Sequence, residues 1–238
     1  MGRLSKAAAG SAALLLAMVI AACGSAKDTD PATATGPTPI SGQWAQSGDE
    51  ALPTETRTDW VTYGTHVVLA KITAERLLSL ETMPASTPND GDGTRARIAT
   101  FSIIRTLWKA KGEADLPPTV DQTVFGVKVT GGKSTPSIVR GRPGFLVGET
   151  YIVPFTMFQG ERSLLSADVG VPVSGMKYAY ESRKPAVIEL TGKTAAEVAQ
   201  ILAKTPPDPV AAKYPDLTPE QRWGKVSQAQ RASSTDSG

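Results

Sequence analysis

The side chains best suited to covalent or proton-transfer chemistry are few, since the 238-residue chain has one cysteine, Cys23, and one histidine, His66. A single histidine serves a metal site or a catalytic triad only if every partner is of another type. No G-x-S-x-G pattern supplies a hydrolase nucleophile. Carboxylates such as Glu149 and Asp168 remain as an acid–base option, although acidic residues beside strands are common. We therefore predict no catalytic residue, no metal site and no cofactor, and we expect His66 at a strand entry with its ring partly exposed.

Two glycine-containing stretches look like ligand-binding loops but lack the residues that such loops need. Gly131-Gly132-Lys133-Ser134-Thr135 has the end of a phosphate-binding P-loop, but Val127 stands where its first glycine belongs. Asp90-Gly91-Asp92-Gly93 begins like a calcium loop, but the spaced acids and the terminal glutamate are missing. We expect a hairpin loop at the first stretch and a turn at the second.

The surroundings of Cys23 indicate export. Arg3 and Lys6 form a short basic segment, and Ala7 to Ala22 follows without any charged residue. This is the pattern of a signal peptide. A membrane-spanning helix needs about 20 strongly apolar residues, and this shorter stretch is interrupted by polar positions and followed by polar sequence. We therefore predict that residues 1–22 are a signal peptide that is removed.

The signal peptide ends in Ile20-Ala21-Ala22-Cys23, which resembles the bacterial lipobox. The resemblance implies that a diacylglycerol is attached to the thiol, that the chain is cut before Cys23, and that the new amino terminus is open to acylation. Two or three acyl chains hold a protein firmly on a membrane. The alternative is an ordinary signal peptide followed by a free thiol. We expect a domain anchored by lipid at the extracytoplasmic face of the cell membrane, with no disulfide.

The charge of the exported chain is balanced. Arg3 and Lys6 leave with the signal peptide, so 25 basic residues become 23, against 23 acidic residues. A neutral domain gives no reason to expect a nucleic-acid partner. Residues 23–58 are rich in Ala, Thr, Gly, Pro and Ser, which predicts a disordered tether. Trp44 within it is either an incidental aromatic residue or one that contacts the domain or the membrane. We expect one domain at 59–204, including a closing helix, and a tail at 205–238.

Alternating and β-branched apolar runs predict a mainly β domain. The first two strands, at 67–75 and 95–108, are separated by proline and glycine residues and predict a long hairpin. Further strands are expected at 120–130 and 151–158, and shorter ones at 164–169, 177–181 and 186–190.

Helix signals lie only near the end of the chain. Thr194-Ala195-Ala196-Glu197 is a capping box, and the apolar residues that follow share one helical face as far as Pro206. A second, short helix is expected from Thr218-Pro219, which places proline at the first helical position. We expect disorder after Gln230.

Three of these stretches resemble an OB-like barrel of exported bacterial proteins, which is similar to the N-terminal domain of tissue inhibitors of metalloproteinases. They are Val67–Ile72, Phe101–Gly112 and Val147–Phe155, within a region from about Trp60 to Val173. The chain departs from the pattern at Ala70, where glycine is usual, and by the extra Ala110-Lys111. The resemblance implies a single antiparallel β-barrel with one or two C-terminal α-helices, and no catalytic signature. Inhibition is not carried over, because it uses a free amino-terminal cysteine and Cys23 is expected to be lipidated.

Aromatic residues offer the remaining indication of function, because OB-type barrels bind extended polymers by stacking across an aromatic face. Trp108, Tyr151, Tyr178 and Tyr180 are the speculative binding residues, and core packing is the simpler interpretation for most of them. We expect a monomeric, non-catalytic binding or interaction module at the cell envelope, with a protein or polymer ligand. An envelope hydrolase with dispersed carboxylates and a structural partner of a membrane complex are the alternatives.

Overall fold

A computed structural model describes residues 51–78, 93–130, 133–136, 141–173 and 181–235. Helices and strands follow one another along the chain as α1 (Arg57–Tyr63), β1 (His66–Leu77), β2 (Gly93–Lys109), β3 (Thr119–Thr130), β4 (Lys133–Pro136), β5 (Thr150–Phe158), β6 (Glu161–Leu164), β7 (Val171–Pro172), α2 (Pro185–Leu190), α3 (Ala195–Lys204), a 3₁₀ turn (Ala211–Lys213) and α4 (Pro219–Thr235).

The strands form one antiparallel sheet in the order β4-β3-β2-β1-β5-β6, with β7 paired to β5. The domain is therefore mainly β, as the alternating apolar runs predict. The expected barrel is not found as a closed ladder, because within the described ranges no strand pairing joins β4 or β3 to β6 or β7. The sheet is open at the level of backbone hydrogen bonding.

One side chain nevertheless brings distant strands together. Gln122 on β3 donates from Nε2 to the carbonyl of Arg162 at 3.2 Å, and its Oε1 accepts from the amide of Leu164 at 2.8 Å, both on β6. In a flat sheet β3 and β6 would lie four strand spacings apart, about 19 Å. The sheet must therefore curl strongly, which the register shifts between β1 and β2 accommodate.

The curled sheet has a core on each face. The inner core is formed by strand residues and one loop residue: Val68, Ala70, Ile72, Ala99, Phe101, Val120, Val124, Phe145, Tyr151, Val153, Phe155 and Leu164. The outer core lies between the opposite face of β1, β2 and β5 and the helices, where Trp60, Leu190 and Val198 are almost fully buried. The helices thus cover the outer face.

The helices differ in part from the sequence prediction. The capping box at Thr194 is confirmed, with Glu197 accepting from the Thr194 amide at 2.7 Å. The strand expected at 186–190 is wrong, since Pro185 begins α2 and Ala186, Val187 and Leu190 are buried on one helical face. A short apolar run does not distinguish a buried strand from a buried helix.

Three other elements extend or shorten the predictions. Helix α4 continues to Thr235, although disorder was expected after Gln230. The strand expected at 164–169 is wrong apart from Leu164, the last residue of β6, and most of the strand expected at 177–181 lies outside the described residues. Helix α1 is additional, and its capping box pairs Thr56 with Asp59. Leu52 and Thr54 are buried ahead of it, so the folded part includes residues whose composition predicts a tether.

Candidate functional site

Several residues of the sequence hypothesis lie outside the described part of the chain. These are the lipidation residue Cys23, Trp44, and two of the speculative binding residues, Tyr178 and Tyr180. The glycines of the P-loop-like stretch lie outside it as well, while Lys133 to Pro136 form the edge strand β4. Asp90 and Asp92 are likewise beyond the described ranges.

Tyr151 is a core residue. Its side chain is 1 % exposed, its ring lies 5.0 Å from that of Phe145, and its hydroxyl accepts from the amide of Leu146 at 3.3 Å. Burial raises the pKa of the Tyr151 hydroxyl. The ring is therefore not available for stacking on a ligand, which corrects the expectation that it contributes to a binding face.

Trp108, the other described residue of that expectation, and three further aromatic residues also contribute to packing. Trp60 and Phe155 are fully buried, and Trp108 and Phe158 are partly buried against the outer core. Trp60 donates from Nε1 to the carbonyl of Thr54 at 3.1 Å, which fixes the chain ahead of α1. None of these four described residues is exposed, and Trp108 and Phe158 are the two that are not fully buried.

His66 begins β1 as expected, but its ring is buried and not partly exposed. The segment 110–118 covers it: Nε2 lies 2.9 Å from the carbonyl of Ala114, and Nδ1 lies 3.1 Å from the hydroxyl of Thr65. Burial lowers the pKa of His66, and the Ala114 carbonyl opposes this. Since both ring nitrogens are engaged with the protein, His66 holds a loop and contacts no open site.

A polar cleft within the described residues is a candidate for binding. It has a volume of about 590 Å³. Its lining comes from the start of the loop 141–148, the turn before β7 and the chain ahead of α1 and α2: Glu55, Gly141, Arg142, Asp168, Glu181, Ser182, Arg183 and Lys184. No aromatic residue is among them. Such a surface suits a polar or charged ligand.

Ion pairs organise the charges of the cleft. Lys184 contacts Glu55 and the hydroxyl of Thr54, each at 2.8 Å. Arg142 contacts Asp168 at 3.2 Å. Glu149, named with Asp168 as an acid–base option, is not part of the lining. Glu55 and Asp168 are thus each paired with a cation, an arrangement that holds charges in place for ligand binding.

The loop 141–148, which supplies Arg142, is fixed by Phe145. The Phe145 ring lies in the inner core, 5.3 Å from Phe101, while its backbone has a left-handed φ of +44°. A non-glycine residue in this conformation persists only where its surroundings determine it. Gly170 permits the contact, because an added Cβ there would lie 3.0 Å from the Phe145 ring.

Arg97, near the start of β2, fixes the same loop. Its side chain is 1 % exposed; it donates to the carbonyl of Phe145 at 3.0 Å, to the carbonyl of Gly144, and to Glu75 at 2.7 Å. Burial lowers the pKa of the guanidinium, and the Glu75 carboxylate opposes this. The buried cation therefore depends on an acid that remains partly exposed.

Sequence reasoning missed both the cleft and Arg97. The cleft joins residues far apart in sequence, and no spacing connects Glu55 with Arg183. A signal was present for Arg97, because it has the same strand parity as Ala99 and Phe101 and so faces the core. A charged residue at a core position indicates a buried ionic contact.

Comparison with known proteins provides no relative: no family model, curated protein or solved structure matches the chain. Within the described ranges, no helix is long and apolar enough to cross a membrane. In the same ranges, no group of three or more His, Cys, Asp and Glu residues lies close enough to hold a metal ion.

Proposed function

We propose that this chain is a lipoprotein, anchored through Cys23 at the extracytoplasmic face of the cell membrane, whose folded domain is a monomeric, non-catalytic binding module. The observation that carries the proposal is the sequence Ile20-Ala21-Ala22-Cys23 at the end of an export signal. It accounts for the only cysteine of the chain. The curled sheet is consistent with an OB-like relationship, which we retain as part of the proposal.

The tether separates the anchor from the domain. Residues 24–51 lie between Cys23 and the buried Leu52. We propose that these residues, which are rich in Ala, Thr, Gly, Pro and Ser, act as the tether of the lipoprotein.

The polar cleft supports binding as the activity of the domain. Lys184 and Arg142 are fixed by their acid partners, while Arg183 is exposed and makes no hydrogen bond or ion pair with any described residue. A guanidinium presents five donors in a planar arrangement that suits carboxylate and other oxygen-rich groups. We assign the ligand contact to this lining.

The anchor is tested by growing the producing bacterium with an alkyne fatty acid and comparing the full chain with Cys23→Ser. We expect labelling and membrane retention of the unchanged chain, and loss of both in the variant. Ser25→Ala is the matched control, because it lies next to the lipobox and leaves it intact. Equal labelling of Cys23→Ser and the unchanged chain would refute the anchor.

Binding at the cleft is tested by placing a photo-crosslinking amino acid at residue 183 of the full chain in cells. Position 105, an exposed arginine on β2, is the matched control. We expect a discrete adduct from position 183 and none from position 105. Adducts of equal yield at both positions, or none at position 183, would exclude the cleft as the binding surface.

A hydrolase is the second candidate, favoured by one observation. Glu55, Asp168 and Glu181 line one cleft of about 590 Å³, which exceeds the roughly 300 Å³ of a small ligand pocket. Its test is incubation of the purified chain with cell-wall polymer and detection of released fragments by mass spectrometry. Release that is lost in Glu181→Gln would establish the hydrolase in place of the binding module.

A further inference from the structure

Gly170, in the turn before β7, brings two parts of the chain into close contact. It is buried, and a Cβ added to it would lie 3.0 Å from Cε1 and 3.2 Å from Cζ of the Phe145 ring. Carbon atoms in ordinary contact are about 3.5–4.0 Å apart. The φ of Gly170 lies outside the left-handed region, so its backbone does not require glycine. The position is therefore restricted by its neighbour and not by its own conformation.

The Phe145 side of this contact is held in the inner core. The ring of Phe145 lies 5.3 Å from that of Phe101 and 5.0 Å from that of Tyr151. The buried guanidinium of Arg97 donates to the Phe145 carbonyl at 3.0 Å. The ring and the backbone are thus both fixed, so the loop 141–148 has little freedom to withdraw from Gly170.

The Gly170 side of the contact is held in the outer core. Val169 and Val171, the residues on either side of Gly170, are 0 % and 1 % exposed there. Val171 also begins β7 and pairs with Ile152 of β5. Well-packed interiors transmit strain, because they contain few spaces into which a group can move. A methyl group added at Gly170 would therefore push the turn and the loop 141–148 apart.

Each side of the contact continues into the polar cleft. Arg142 is three residues before Phe145. Pro143, which stands between them, has the fixed φ of proline and lies 3.3 Å from a Cβ added at Gly170. Asp168 is two residues before Gly170, and its fully buried Oδ1 lies 3.2 Å from Nε of Arg142. The separation of these two cleft residues therefore depends on the contact between Phe145 and Gly170.

The start of the same loop lies against another part of the cleft lining. A Cβ added to Gly141 would lie 3.4 Å from the carbonyl oxygen of Glu181. The segment 181–184 that begins there carries the exposed Arg183. A shift of the loop 141–148 therefore changes the position of Arg142 relative to Arg183 as well as to Asp168.

We propose that Gly170 is a positioning residue of the polar cleft. Through its contact with Phe145 it sets the separation of Arg142 and Asp168, and thereby the affinity of the cleft for its ligand. Gly170 is not part of the lining, so it acts through these residues and not on the ligand itself. This role rests on the proposed function, since it requires that the cleft binds a ligand.

The separation of the pair is tested by NMR on the full chain with Cys23→Ser, which carries no lipid on the thiol. The rate at which the Arg142 Nε proton exchanges with water is compared between this parent and Gly170→Ala. We expect roughly tenfold faster exchange in the variant, because the guanidinium moves away from the carboxylate. Gly224→Ala is the matched control, since a Cβ added there meets no atom within 4 Å, and it should exchange as the parent does.

Phe145→Leu distinguishes positioning from a general loss of stability. Leucine lacks the two ring atoms that the added methyl group would meet, so Phe145→Leu leaves a gap and should itself speed the exchange. In this background Gly170→Ala fills the gap and should slow the exchange, the opposite of its effect in the parent. If Gly170→Ala alone does not fold, the comparison within Phe145→Leu decides. Faster exchange in both backgrounds, or an unchanged rate in a folded Gly170→Ala, would overturn the proposal.

The effect on the ligand is measured in cells, with the photo-crosslinking amino acid at residue 183 of the full chain that keeps Cys23. Gly170→Ala should lower the yield of the adduct roughly tenfold, and Gly224→Ala should leave it unchanged. Faster Arg142 exchange with an unchanged adduct yield would overturn the control of affinity by Gly170, while the cleft remains the binding surface. The absence of an adduct in the parent would instead refute the proposed function, and this role with it.

Discussion

Two loops cover opposite ends of the inner core, and they are held in chemically different ways. The loop 110–118 packs Leu116 against the core and is bound by His66. The loop 141–148 inserts Phe145 and is bound by Arg97. Each loop is thus fixed by one apolar residue together with one buried polar side chain from a strand.

The difference lies in the charge of the polar side chain. His66 makes no ion pair with any described residue, and burial favours its neutral form, so its contribution depends on pH. Arg97 keeps its charge and binds two carbonyl groups, but it depends on Glu75 for compensation. The two loops show that attachment through a buried histidine weakens at low pH. Attachment through a buried arginine instead depends on a neighbouring carboxylate.

The largest effect is expected from Phe145→Ala. Removing a fully buried phenylalanine side chain costs about 4 kcal/mol of unfolding free energy. Leu116→Ala should cost about 2 kcal/mol, since Leu116 is only partly buried. Urea unfolding of both variants measures the difference, and Val147→Ala, at a half-exposed position of the same loop, is the control. An equal loss at Phe145 and Leu116 would contradict the stronger anchoring of the loop 141–148.

The second largest effect is expected from Arg97→Met, which should lower the free energy of unfolding by about 3 kcal/mol. The variant leaves the carbonyl groups of Gly144 and Phe145 without their donor. Glu75→Gln should lose about 1 kcal/mol, since Glu75 is 36 % exposed and water partly replaces it. A double-mutant cycle in chemical unfolding measures the coupling of the pair. Additive effects of the two changes would show that Glu75 does not compensate Arg97.

His66→Gln should cost about 1 kcal/mol at neutral pH and should also change the pH dependence. The pKa of His66 is lowered in the folded chain, so below its ordinary value of 6.5 the unfolded chain binds more protons. Stability is therefore full above pH 6.5 and falls as the pH drops from 6.5 to the lowered folded pKa. Unfolding at several pH values should show this fall in the parent and a weaker one in the variant. An unchanged pH profile in His66→Gln would exclude His66 as its source.

The smallest effect is expected from Lys109→Met. The Lys109–Asp115 pair also joins the loop 110–118 to a strand, but both side chains are open to solvent, Asp115 by 87 %. Exposed ion pairs contribute little. The midpoint of unfolding should stay within measurement error of the parent. A clear shift of the unfolding midpoint would mean that the hydrogen bond of His66 is not the main polar contact that holds the loop 110–118.

The sheet could largely be predicted from the sequence. The runs at 67–75 and 95–108 gave the β1–β2 hairpin, because β-branched and alternating residues favour strands over any competing structure. The capping box at Thr194 could be predicted for a similar reason, since it is a local hydrogen-bond pattern. Ala186 to Leu190 failed because so short an apolar run carries no periodicity that separates a strand from a helix.

The candidate sites were harder to predict. Glu55 lies in a stretch whose composition predicts a tether, yet it joins the cleft through Lys184, 129 positions later in the chain. The burial of His66 depends on a loop 48 residues away. Contacts of this kind arise from the curl of the sheet, which no local pattern encodes.

Gln122 has a consequence for the solubility of the domain. The Arg162 carbonyl and the Leu164 amide, which it binds, face away from β5 and would otherwise form part of a free strand edge. The amide of Gln122 offers the same donor and acceptor as a peptide group, so it occupies the place of a neighbouring strand. An edge occupied in this way cannot recruit a strand from another molecule. Gln122 thus protects the edge of β6 from edge-to-edge aggregation. In a closed barrel this edge would be paired with another strand.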